Sequence, residues 1–139
     1  DALRSPEVAF VLVTSPDPLA VGEARFFSEK LKAAGMNREA IIVNQVHPLI
    51  EEPAASPARQ VEALRAALPP SIDATDIQPR LCEAFREERV WAVSDAAQVE
   101  RLGEEIGNNT NIVEVPAFDE DVHDLAALAK VAAYLTDAA

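Results

Sequence analysis

Seven consecutive residues, Val8-Ala9-Phe10-Val11-Leu12-Val13-Thr14, are apolar or β-branched and stop at Ser15-Pro16. A run with no polar alternation predicts a strand buried on both faces, the pattern of a parallel sheet. Parallel strands need a crossover, and the sequence supplies one. Pro16-Asp17-Pro18 makes a turn that no helix interior tolerates. A helix is expected from about Leu19 to Ala34, with Val21, Phe26, Phe27 and Leu31 as its apolar positions and Gly35 as its C-terminal cap. Ala40-Ile41-Ile42-Val43-Asn44-Gln45-Val46 is the second buried strand, ending before His47-Pro48. Strand, helix and strand form a βαβ unit, which is right-handed in nearly all proteins.

From Leu49 to Gly107 no strand of that quality occurs, and residues 49–107 read as a helical insertion between strands two and three. Ser56-Pro57 starts one helix, with Val61, Leu64, Ala67 and Leu68 on one face, and Pro69-Pro70 ends it. A second helical stretch follows Thr75-Asp76, with Ile77, Leu81 and Phe85 at i, i+4 and i+8, and continues through Val90, Trp91, Val99 and Leu102 to Ile106. The polar pair Ser94-Asp95 is expected to divide it in two, and Gly107-Asn108-Asn109 to close it. The third strand is Asn111–Pro116. Ala117–Asp121 then forms a loop and an acidic helix start, before a last helix with Val122, Leu125, Leu128, Ala129, Ala132 and Leu135 on its apolar face. The expected class is α/β, a single domain over residues 1–139 with a mostly parallel three-stranded sheet in the order β-α-β-(α-α)-β-α.

Charge narrows the function. Twelve Lys and Arg against 24 Asp and Glu give a net charge of -12, which repels phosphate backbones and anionic headgroups. Neither nucleic-acid binding nor direct membrane insertion is expected, since no apolar run approaches the ~20 residues of a membrane helix. A single cysteine, Cys82, rules out an internal disulfide and any multi-cysteine metal site within one chain. A cytoplasmic location is expected.

Ligands of open α/β sheets bind outside the carboxyl ends of the strands. Those ends are Thr14–Asp17, Val43–Gln45 and Val115–Phe118. Asn44 stands out because its amide offers a donor beside an acceptor, matching the N6/N7 edge of adenine. It equally suits a residue that satisfies loop backbone groups after a strand. The four glycines build neither G-x-x-x-x-G-K-[ST] nor G-x-G-x-x-G, so the chain has no phosphate cradle of its own. His123, amid Asp119, Glu120, Asp121 and Asp124, reads as a solvated helix start, and Cys82 as a small hydrophobe without a nearby base. No Ser/His/Asp triad can be argued.

Three landmarks carry a resemblance. The stretch from Phe10 to Ala24, with Pro16-Asp17 after the strand and Glu23 on the following helix, resembles part of the arsenite-pump (ArsA-type) ATPase family. That family also includes the ATPase that targets tail-anchored membrane proteins. Ile41-Ile42-Val43-Asn44-Gln45-Val46 is similar to the family's strand ending in Asn-Gln or Asn-Arg. Val113–Phe118 with the following Val122–Leu128 is similar to its strand, Pro loop and closing helix. Ala20 departs from the family pattern, where a Ser stands, and Asp17 stands for Glu.

The resemblance implies the C-terminal half of a P-loop NTPase-like sheet, with ATP as cofactor. Asn44 would bind the adenine edge, and the loop of Pro116, Ala117 and Phe118 would close over the base, although Phe118 suits the core equally well. The family's phosphate loop, Mg²⁺ ligands and water-positioning Asp belong to an N-terminal half that this sequence lacks. That half is therefore the expected partner, and the chain alone is expected not to hydrolyse ATP. Homodimerisation or other self-association through an uncovered sheet edge is also expected. Two other readings stay open: a non-catalytic α/β interaction or regulatory module, and a flavodoxin-like or receiver-like domain, against which Lys130 within the last helix counts.

Overall fold

The computed structural model describes residues 2–51, 54–107 and 110–136. After a short 3₁₀ turn come β1 (Ala9–Thr14), α1 (Pro18–Ala33), β2 (Asn37–Val46), α2 (Pro57–Ala67), α3 (Ala74–Ile106), β3 (Asn111–Pro116) and α4 (Leu125–Thr136). The strands form one sheet in the order β1-β2-β3, both pairings parallel. Leu12, Ile41 and Ile112 stand side by side in register.

Local chemistry sets the helix boundaries. The Asp17 carboxylate accepts from the Leu19 and Ala20 N–H groups at 2.9 and 3.2 Å, and Pro18 takes the first helical position. At the other end of α1, Met36 N–H donates to the Leu31 carbonyl and Gly35 N–H to the Lys32 carbonyl. Gly35 has φ 68°, the left-handed conformation that this pairing requires. Asp73 caps α3 through the Thr75 N–H at 2.8 Å. Asp124 caps α4 through the Ala127 N–H at 2.7 Å.

The largest buried cluster lies on one face of the sheet, while Val113 and Val115 of β3 are buried on the other. Ile41 and Val43 of β2 are fully buried among Val21 of α1 and Val99 and Leu102 of α3, with Leu12, Ile106 and Ile112 packed around them. Both crossover helices therefore cover the same face, as consecutive right-handed crossovers in a 1-2-3 sheet require. Arg38 ties the start of β2 to both neighbours, its guanidinium donating to the hydroxyls of Ser28 on α1 and Thr110 before β3.

The expectation of a sheet buried on both faces holds at β3 and fails at the β1 edge. On the face away from α1 and α3, Val11 and Val13 are exposed, Val13 by 66%. α4 packs on β3. The α4 stripe is uncovered too: Leu125 is 85% exposed, and Leu128 and Leu135 are exposed as well.

Four further expectations change. β2 begins at Asn37, three residues before Ala40, and α4 begins at Leu125, after Val122. Phe26 and Phe27 are exposed and meet edge to face at 6.2 Å, while α1 buries Val21, Ala24 and Ser28 instead. α3 is one continuous helix through Ser94-Asp95 and through Pro79, which lies near its start. Asp95 does not break the helix because its side chain is turned into the core side and paired there. α3 closes at Gly107, with φ 89°; Asn108 and Asn109 lie outside the described residues.

Leu102→Ala is expected to cost about 2–5 kcal/mol, because it opens a cavity in the layer. Val13→Thr is expected to change stability by less than about 0.5 kcal/mol, as on other open surfaces. Urea unfolding of both variants checks the contrast.

The Asp73 carboxyl is held below the ordinary carboxylate range, chiefly by the Thr75 backbone N–H. A depressed folded value gives a contribution that is complete above the unfolded-state value near pH 4 and is lost as pH falls through the lower folded value. Asp73→Asn removes that titration, so its urea midpoint is expected to fall less steeply with acid than that of the unsubstituted chain.

Candidate functional site

The carboxyl ends of the three strands meet α3 around a cleft of about 580 Å³. β1 contributes Ser15 through Pro18, β2 contributes Gln45 and His47, the end of β3 contributes Ala117 and Phe118, and α3 contributes Trp91, Ser94 and Asp95.

A bulge at the end of β2 shapes one wall. Asn44 pairs with Val115, but the next pair is Val46 with Pro116, so Gln45 is left without a partner across the ladder. Gln45 has φ 64°, the one non-glycine residue with positive φ among the described residues. Both flanks are fixed. The Val46 carbonyl accepts from the Ala117 N–H at 2.9 Å, and His47 N–H donates to Asp95 Oδ2 at 2.9 Å.

Asp95 holds His47 a second time, with Nδ1 2.7 Å from the same Oδ2. An ionised carboxylate only accepts, so Nδ1 carries a proton in this contact. The imidazole lies 5.3 Å from the Trp91 ring, tilted by 58°. Asp95 occupies the buried stripe of α3, with Ala92, Val99 and Leu102, and its charge is compensated by these two donors. The Asp17 carboxylate is likewise occupied in capping α1. Among the described residues no Lys or Arg lines the cleft.

The residues singled out from the sequence separate here. Ala117 and Phe118 line the cleft, while Asn44 and Pro116 do not. Asn44 is exposed, and strand alternation puts it on the opposite face from Ile41 and Val43. The Ala117 N–H is spent on the Val46 carbonyl. The Phe118 ring is half-buried and meets Tyr134 of α4 edge to face at 6.0 Å.

Sequence reasoning missed the pairing of His47 with Asp95. One signal was available: Asp95 falls in step with Ala92, Val99 and Leu102, and a carboxylate in register with a core stripe implies a partner. Neither Ser15 nor Ser94 hydrogen-bonds the imidazole among the described residues, so the dyad has no third member there. His123 is exposed, with Nδ1 2.7 Å from the Asp121 carbonyl. Cys82 lies on α3 beside α2, where its sulfur accepts from Gln78 at 3.2 Å. Among the described residues no group of three or more His, Cys, Asp or Glu side chains forms a metal site, and no helix is long and apolar enough to cross a membrane.

The class defined by this fold is an open, all-parallel three-stranded α/β sheet with a cleft at its carboxyl edge. No protein-family model matches the chain, and no curated protein matches it.

Asp95→Ala is expected to destabilise the fold by about 1–3 kcal/mol, because the His47 N–H and ring lose their acceptor. Asp95→Asn keeps one acceptor oxygen and is expected to cost less. Equal urea midpoints for the unsubstituted chain and Asp95→Ala would show that the pair contributes nothing.

Proposed function

We propose that the chain is the adenine-side, C-terminal portion of an ArsA-like P-loop ATPase, contributing to ATP binding but not hydrolysing ATP alone. The observation that carries this reading is the character of the cleft at the strand ends. It combines aromatic surface and a neutral amide, with its carboxylates already engaged and no Lys or Arg among the described residues of its lining. Such a lining suits the uncharged ring end of a nucleotide and gives the phosphates no counter-charge. In this reading the phosphates and Mg²⁺ belong to an N-terminal half outside this sequence. Gln45, at the end of β2, and Ala117 and Phe118, after β3, attend the base.

A second reading, a non-catalytic interaction module, is favoured by the uncovered Val11 and Val13 on the edge strand β1. An open edge with an apolar face is a template for another chain, whether the missing half or a second copy.

Calorimetric titration of the 139-residue chain separates the two readings. Adenosine is expected to retain most of the affinity of ATP. GTP is expected to bind at least about tenfold more weakly, because its O6 inverts the donor pattern of adenine. No phosphate release is expected with Mg²⁺ and ATP. Equal affinity for ATP and GTP, or measurable turnover, would sink the adenine-side reading.

A further inference from the structure

Gln45 departs from ordinary backbone preference in a way that the fold does not need. At φ 64° a glycine or asparagine is at home, while an unbranched, longer side chain is strained there. The strain cannot relax locally, because Val46 is bonded to Ala117 and His47 to Asp95 on the C-terminal side, and Asn44 is in the ladder on the other. A non-glycine residue held in this conformation by its surroundings is a pointer to function.

The bulge also decides which amide meets the cleft. Gln45 lines it and Asn44 does not. The Gln45 side chain is exposed, and its amide makes no hydrogen bond to the described residues. The two carboxylates of the lining are occupied, Asp17 in capping α1 and Asp95 in binding His47, which leaves Gln45 as its one unengaged amide among the described residues. Trp91 lines the same cleft and is 54% exposed, although its ring lies 5.3 Å from that of His47. A flat ring lying on Trp91 would bury that surface, and its edge would then need a hydrogen-bonding partner.

We infer that Gln45 is the specificity-determining residue of this cleft, reading the edge of a planar, uncharged heteroaromatic ring that stacks on Trp91. The ring it fits carries an amino donor beside a ring-nitrogen acceptor, as adenine does. Gln45 Oε1 accepts from the amino group, and Nε2 donates to the ring nitrogen. This inference rests on the nucleotide reading of the cleft and moves the base-reading contact from Asn44 to Gln45.

The test uses Trp91, the one tryptophan of the chain, as reporter. Adenosine and inosine are titrated into the 139-residue chain while Trp91 fluorescence is followed, and the melting temperature of each variant is recorded without ligand. Inosine carries an oxygen where adenosine carries the amino group. The unsubstituted chain is expected to bind adenosine, with a change in Trp91 emission, about tenfold or more tightly than inosine.

Gln45→Gly is expected to lose that discrimination while its melting temperature holds or rises by up to about 4 °C, as the left-handed strain is released. Gln45→Glu keeps the size and the strain but removes the N–H donor, and is expected to lose about tenfold in adenosine affinity. Asn44→Ala is expected to leave both ligands unaffected. If the unsubstituted chain binds neither nucleoside, the nucleotide reading fails and this inference with it. If it binds adenosine selectively and Gln45→Gly or Gln45→Glu does the same, or if Asn44→Ala removes the selectivity, the inference about Gln45 alone is overturned.

Discussion

Ile41 and Val43 lie fully buried under Val21, Val99 and Leu102, and this apolar layer decides where everything else can go. Two parallel crossovers of the same hand put α1 and α3 on one side of β2, while on the other side α4 lies on β3 and Val11 and Val13 of β1 stay exposed. The layer also fixes the rotation of α3. Once Val99 and Leu102 face the sheet, Asp95 must face it too, one to two turns earlier. A carboxylate in that position requires donors, and His47, just past the end of β2, supplies two. The cleft is thus organised by the register of the helix on the sheet.

The parts of this arrangement that local sequence controls were legible. Three strands, the helical stretches between them and the parallel class follow from runs of apolar residues and from punctuation at Pro16, Gly35, Pro57 and Pro69. Coverage was not legible. The same Val-rich pattern in β1 serves a strand at the centre of a sheet and one at its edge, and only the strand order distinguishes them. Phe26 and Phe27 misled for a related reason: helical spacing defines a stripe, but the small residues Ala24 and Ser28 allow closer approach to the sheet and take the inner face.

The candidate site was half legible. Strand ends locate the cleft, and Ala117 and Phe118 lie on its lining. The choice between Asn44 and Gln45 depends on a bulge, and a one-residue irregularity exchanges the two faces of a strand. Nothing in residues 44–46 announces that bulge, which is set by how β3 ends against β2. The unbroken α3 teaches the same lesson. Ser94-Asp95 looks like a helix breaker as long as its partner, 48 residues away, is out of view.

α3 has mechanical consequences of its own. Its C-terminal half is clamped on the sheet, while its N-terminal half runs on beside α2, which packs on α3. Asp95 and Trp91 sit where the clamped part meets the free part. From Asp95 to Ala74 the helix spans about 30 Å at about 1.5 Å per residue. A rod of that length magnifies angle into distance: a tilt of about 10° at the cleft carries the α2 end through about 5 Å. On the 33-residue helix the His47–Asp95 contact marks the point from which any such tilt would be measured.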